Sequence, residues 1–253
     1  MSELVVIESR DGVARLTLNR PDAANTIDVP MAHAIMSAAL QVAGDDAVSA
    51  VVLTGAGRLF CAGGDIKAFG ADPAQASSVI ARITAPLHAG ILILARMDKP
   101  LITLVNGPAA GAGLGLALLG DVVIASSQAH FTSAYTAIGM SPDAATSWLL
   151  PRAVGLRRAQ EMILTNRRVS AADACEWGMV SAVAEPDKLE GELNHWLDRL
   201  CSVPGSGLGA SRRLLLDSGS RGLADHLDRE AASITNLAAG QVGQSRISDF
   251  LKN

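Results

Sequence analysis

Aromatic side chains are scarce: three tryptophans, one tyrosine and four phenylalanines make 3% of 253 residues. So few flat rings leave little for bases to stack on, and a formal charge of −4 gives no basic field for phosphates, so no nucleic-acid partner is expected. Cysteine is nearly absent too. Cys61, Cys175 and Cys201 are an odd set with no C-x-x-C pair, which excludes a sequence-local zinc or dithiol motif and fits a reducing, cytoplasmic setting. His33, His88, His130, His195 and His226 show neither H-x-H nor H-x-x-x-H spacing, so no metal is expected. There is no G-x-x-x-x-G-K-[ST] phosphate loop and no G-x-S-x-G elbow. Gly111-Ala112-Gly113-Leu114-Gly115 fails as a dinucleotide loop because Leu116 stands where the last glycine belongs. Gly205-Ser206-Gly207-Leu208-Gly209-Ala210 follows a helical stretch instead of a strand and reads as a plain loop. The least polar run, Gly107 to Gly120, is shorter than the roughly 20 residues that span a bilayer. The stretch from Met1 to Asp11 lacks a basic start followed by a long apolar run, so neither a signal peptide nor membrane association is expected.

What the chain does have is apolar mass, 49% against 18% charged, enough for a substantial core. Leu4 to Glu8 and Val13 to Leu18 flank Asp11-Gly12, a dipeptide suited to the positive φ angles of a tight hairpin. Ala32, Ile35, Met36, Ala39 and Leu40 recur at helical spacing, and a buried strand at 50–53 follows. The pattern continues with a helix from Ser77 to Met97, a strand from Leu101 to Val105, a Gly/Ala-rich helix from Gly111 to Leu119 and a strand from Val122 to Ala125. Strands alternating with helices predict an α/β core. From Asp143 onward strand signals nearly vanish and helices are expected at 143–152, 155–164, 171–177, 186–202, 207–217 and 222–238.

Two loops stand out. Leu59 to Lys67 follows a buried strand, and its small residues let a ligand approach the main chain. Val105 to Gly113 also follows a strand and opens a helix, whose unpaired N–H groups favour developing negative charge. Two such donors can converge on one oxygen. Each loop alone also suits a turn packed tightly on a neighbouring helix.

Together these segments resemble the crotonase (enoyl-CoA hydratase/isomerase) superfamily over essentially the whole chain. Phe60-Cys61-Ala62-Gly63-Gly64-Asp65-Ile66-Lys67 looks like the family's F-x-A-G-x-D-[IL] segment, and Asn106 to Gly113 looks like its N-G-x-A-x-G-G-G segment. Phe131 to Gly155 looks like the stretch carrying catalytic residues. The resemblance implies a ClpP-like spiral of repeated ββα units over 1–195, followed by a helical trimerisation region over 196–253 that is not an independent domain. It implies a homotrimer, or a hexamer made of two trimers. It also implies an acyl-CoA thioester as substrate, no prosthetic group, and an oxyanion hole from the amides of Ala62 and Ala112. Gly63, Gly64, Asp65, Gly111, Tyr135 and Ala24 are expected in the substrate pocket, and Lys67 near the CoA phosphates.

Family hydratases use two glutamates, whose positions here hold Gly115 and Tyr135, so simple hydration is disfavoured. Asp143 is the leading acid/base, matching an aspartate of epoxyphenylacetyl-CoA isomerase-like and 4-chlorobenzoyl-CoA dehalogenase-like members. Its competing reading is a helix N-cap after Pro142. An isomerase is favoured. The alternatives are a hydratase-like lyase and a hydrolase in which Asp143 is the nucleophile and His88 activates water. His88 otherwise reads as packed or surface, Lys67 as an exposed helix lysine, and Tyr135 as core. Outside enzymology, a weakly active binding subunit or an RNA-binding relative remains, the latter disfavoured by the acidic balance.

Overall fold

The computed structural model describes residues 3–252. Met1 and Ser2, which open the stretch read for a signal peptide, and Asn253 lie outside the described residues. The chain begins with β1 (Val5–Arg10) and β2 (Val13–Leu18), paired antiparallel with Arg10 opposite Val13. Asp11 (φ 50°) and Gly12 (φ 78°) make the turn that the dipeptide predicts. After a 3-10 turn at Pro21–Ala23 come α1 (Val29–Gly44) and β3 (Ala50–Gly55). Asp28 caps α1 by accepting the Met31 N–H. Two helices follow, α2 (Ile66–Gly70) and α3 (Ala76–Arg96), then β4 (Leu101–Val105), β5 (Ala109–Ala110), α4 (Ala112–Ala117), β6 (Val122–Ser126) and β7 (His130–Thr132).

The remainder contains α5 (Thr146–Val154), α6 (Leu156–Thr165), β8 (Val169–Ser170), α7 (Ala171–Glu176) and β9 (Ala182–Ala184). It ends with α8 (Leu189–Cys201), α9 (Gly205–Asp217), α10 (Leu223–Ala239) and α11 (Gln241–Phe250). The main sheet runs β1-β2-β3-β4-β6-β9, parallel from β2 onward, beside a small sheet β5-β7-β8.

Period-two alternation splits the strands between two cores. Val51, Leu53, Leu101 and Val105 face the cluster holding α1 and α3, while Val52, Ile102 and Leu104 face Leu189 and Leu193 of α8. Gly90 lets α3 lie close on α1, since a Cβ there would stand 3.1 Å from the Met36 Cα. By length and composition α3, not the 107–120 run, is the one described helix apolar enough to cross a membrane. Here its Ile83, Leu87, Ile91 and Leu94 are buried, a spacing that packs one face inward.

Four expectations change. Strand pairing does continue past Asp143, because β9 extends the main sheet alongside β6. The glycines at 205–209 form the first turns of α9 and not a loop. An additional helix, α11, closes the described chain. The division at 195/196 falls inside α8, whose Trp196, Leu197 and Leu200 still pack on the core. Even α9 is tied in: Arg212 donates to Asp121 Oδ2 at 2.6 Å and to the carbonyls of Leu94 and Met97. By contrast α10 and α11 have no buried residue.

Candidate active site

A cavity of about 680 Å³ lies between α2, α3, the start of α4 and the segment before α5. Aliphatic side chains, among them Ile66, Ile80, Ile83, Leu87, Ile138 and Met140, make most of its wall, and Asp143 is the one carboxylate among the lining residues. A second cavity, of about 620 Å³, lies against α9 and α10, where Arg213 and Arg229 are already paired with Asp98 and Asp217. Among the described residues no group of three or more His, Cys, Asp or Glu could hold a metal.

The two glycine-bearing loops meet at this cavity by main-chain contact. The Ala110 N–H donates to the Cys61 carbonyl (2.9 Å), and Cys61 forms an isolated parallel bridge to Ala109. A Cβ on Gly113 would lie 2.1 Å from the Cys61 oxygen, and one on Gly63 (φ 97°) would lie 2.8 Å from the Ala110 oxygen and 3.3 Å from the Ala112 nitrogen. Glycine is thus what permits the approach.

Hydrogen bonding then decides which amides remain free. The expected donor at Ala62 is spent, because its N–H donates to the Ala24 carbonyl at 3.1 Å. On the next residues, the Ile27 N–H donates to Gly63 O (2.8 Å) and the Asp65 N–H to Ile27 O (2.9 Å), a parallel bridge centred on Gly64. In such a bridge the central residue turns its own N–H away from the partner strand. The Gly64 N–H therefore has no acceptor among the described residues, on a residue that lines the cavity. Ala112, which also lines it, is the first residue of α4, and its N–H has no acceptor either. The free pair is Gly64 and Ala112. This corrects the assignment to Ala62.

Of the other pocket candidates, Gly111 (φ 55°) and Tyr135 line the cavity. Gly63 lies behind it as a spacer, and Ala24 (φ 55°) acts through its carbonyl on Ala62. Asp65 does not line it: Oδ2 pairs with Arg20 at 2.8 Å and Oδ1 caps α2 through the Lys67 and Ala68 amides. Burial works to raise the Asp65 carboxyl, but the Arg20 hydrogen bond and those amides outweigh it and hold it below the usual range. Lys67 is exposed on α2, outside the cavity wall.

Asn25 is a site-building residue that motif reading missed. Fully buried and left-handed (φ 53°), it donates from Nδ2 to the carbonyls of Ala56, Leu59 and Phe60 and accepts the Arg20 N–H on Oδ1. The available signal was an asparagine, after glycine the residue type most tolerant of that backbone conformation, shortly after Pro21 and Asp22. The Cys61 thiol donates to the Asn25 carbonyl, and burial pushes it up to about 12, so it is inert near neutrality.

Asp143 lines the same cavity. It does not cap α5: that position is Ala145, in the left-handed region at φ 64°, and the helix starts at Thr146. The Asp143 side chain is left for the cavity, where Tyr135 donates its hydroxyl to Oδ1 at 2.6 Å. Burial, then the neighbouring Asp143 charge, drives the Tyr135 hydroxyl far above its ordinary range, so it remains a donor. His88 Nε2 lies 3.9 Å from Asp143 Oδ2 and accepts the Ala144 N–H at 3.2 Å. The His88 side chain is about half exposed and is not part of the cavity wall.

Two free N–H groups and one oriented carboxylate lining one largely apolar cavity make an arrangement suited to stabilising an oxyanion while a proton or bond moves nearby. The family model described as enoyl-CoA hydratase/isomerase matches residues 8–231. A 1,2-epoxyphenylacetyl-CoA isomerase from Escherichia coli (strain K12) is 37% identical over 234 residues, 91% of this chain and 88% of that protein. A 4-chlorobenzoyl coenzyme A dehalogenase-2 from Arthrobacter sp is 34% identical over 231 residues, covering 91% and 84%. The crystal structure of an enoyl-CoA hydratase from Polaromonas sp. JS666 superposes with a TM-score of 0.92 at 30% identity, covering 98% of this chain and 96% of that one. With this sheet order, these paired loops and matches that span nearly its whole length, the chain belongs to the enoyl-CoA hydratase/isomerase (crotonase) family.

Proposed function

We propose that the protein isomerises an acyl-CoA thioester, with Asp143 moving one proton. The observation that carries this reading is that Asp143 is the single carboxylate lining the cavity that holds the free amides of Gly64 and Ala112. The thioester carbonyl oxygen accepts both amides. Asp143 Oδ2 takes a proton from the acyl chain, the electron pair moves onto the carbonyl oxygen as an enolate, and the protonated carboxyl returns the proton at another carbon. Nothing is gained or lost, as isomerisation requires. Each amide is worth about 2.7–4 kcal/mol of barrier when aimed at the developing charge. Tyr135 occupies Oδ1, which leaves Oδ2 as the reacting oxygen. Hydration would call for a second carboxylate, and Gly115 and Tyr135 supply none.

A screen of acyl-CoAs for double-bond migration and for α-proton exchange in deuterium oxide tests this reading. Exchange without net water addition is expected, and net hydration would overturn it. The proximity of His88 to Asp143 and the likeness to a dehalogenase support a second reading, in which Asp143 displaces halide from an aryl ring of the acyl group, forming an aryl ester, and water activated by His88 attacks the ester's carboxyl carbon to release the hydroxylated product and free Asp143. An 18-oxygen label entering Asp143 during a single turnover would select it.

The reading extends to CoA and to assembly. Lys67, exposed on α2 between the cavity-lining Ile66 and Phe69, would meet the CoA phosphates. A trimer or a dimer of trimers is supported by the exposed Leu223, Leu227, Ile234, Ile247 and Phe250 on the unburied α10 and α11. Light scattering of the purified chain reads that state directly.

A further inference from the structure

The Asp143 carboxylate hangs from a turn that alanine does not favour. Ala144 (φ 49°) and Ala145 (φ 64°) are both left-handed, a conformation that persists in residues with side chains only where the surroundings hold it. Here the surroundings grip one residue, Ala144, from two sides. Ala144 is fully buried, and its N–H donates to Nε2 of His88 at 3.2 Å. Its carbonyl lies against Gly115 of α4, where a Cβ would stand 2.0 Å from the Ala144 oxygen and 2.9 Å from Thr146 Oγ1. The Thr146 N–H closes the turn on the Asp143 carbonyl at 2.9 Å.

We infer that His88 and Gly115 are positioning residues that clamp Ala144 from its N–H and carbonyl sides and so aim Asp143, and that His88 is not a base for water. The inference rests on the reading of Asp143 as the reacting carboxylate. A neutral imidazole has one lone pair, and directing it at an amide N–H fixes the ring proton on Nδ1. Nε2 then has no free pair with which to take a proton from water. At 3.9 Å from Asp143 Oδ2 it is also outside hydrogen-bond reach. Protonating the ring would set an N–H against the Ala144 N–H and loosen the turn.

Gly115 carries the complementary consequence. Because the Ala144 carbonyl occupies the space a side chain would need, a residue other than glycine at 115 and the present seat of Asp143 exclude each other. The glycine is therefore a condition for the single-carboxylate site, and a glutamate restored at 115 would displace Asp143 without adding a second base.

Nitrogen-15 NMR of the imidazoles in the full-length protein, with His88 assigned through His88→Gln, reads the clamp without substrate. The Nδ1–H tautomer is expected, and an Nε2–H tautomer overturns the inference. Kinetics with 3-hexenoyl-CoA in deuterium oxide reads its effect. His88→Ala should lower kcat about tenfold or more with little change in KM, while His88→Gln, which supplies an acceptor near the Nε2 position but no base, should recover to within about threefold of wild type. Gln as impaired as Ala, with Asp143→Asn inactive, would return His88 to the role of base. Full turnover by Asp143→Asn would instead sink the reading of Asp143 and leave the tautomer result to judge the clamp. Gly115→Ala should cut kcat about a hundredfold in a protein that still binds CoA thioester, and unchanged kcat would remove Gly115 from the clamp.

Discussion

The loops at 60–67 and 106–113 present main-chain N–H groups to the cavity, whereas the turn at 143–146 presents a side chain, and the two are held by different means. The loops are fixed by glycines that admit a neighbouring backbone, by the buried Asn25 amide and by the Arg20–Asp65 pair. The turn is fixed by contacts on a strained alanine pair. Backbone donors move only if the fold moves; a carboxylate moves whenever its turn does. Within one cavity, the half that presents N–H donors is built into the core and the half that presents the carboxylate is held by a few replaceable contacts.

Each half can be removed while the other is kept. The largest effect is expected from Asp143→Asn, which should cost about a thousandfold or more in kcat while thioester affinity stays near wild type, measured by turnover and by calorimetric binding. Next, Ala112→Pro deletes one N–H at a helix position that tolerates proline and should cost about a hundredfold in kcat with Asp143 intact. Were Ala112→Pro to weaken only binding, the two halves would not divide as described.

Lys67→Ala removes a side chain that is neither one of the free amides nor the carboxylate and should raise KM for acyl-CoA about threefold with kcat kept, so a loss confined to kcat would reject its proposed contact with CoA. The smallest effect concerns the anchor of the backbone half. Asp65→Asn should lower stability at neutral pH by about 1.5 kcal/mol in a denaturant titration. The folded Asp65 carboxyl lies below its unfolded range near 4, so its contribution is complete above that range and is lost as pH falls through the folded value. Wild type and variant should therefore converge in acid; a constant gap would indicate that the charge is not what anchors the loop.

Much of this layout was legible beforehand. The Asp11-Gly12 turn, the buried strands and the two glycine segments follow from local chemistry, because each requires a residue type that few others can replace. The strand β9 was not, since Ala182-Val183-Ala184 is too short to carry a period and becomes a strand only through pairing with β6. Nor was the left-handed pair Ala144-Ala145, because alanine gives no sign of positive φ. The N-cap reading of Asp143 failed for that reason, as the turn displaces the cap to Ala145.

The donor pair shows where the division lies. That two strand-to-loop segments would supply the amides is written in Phe60 to Lys67 and Asn106 to Gly113, whose small residues leave the main chain accessible. Which amide in the first segment is free, Gly64 and not Ala62, depends on the partners Ala24 and Ile27 across the fold, and a one-residue shift reverses the direction in which an N–H points. Residue type thus determined the chemistry available. Only tertiary hydrogen bonding and close packing, which consume some groups and spare others, decided which atoms face the cavity.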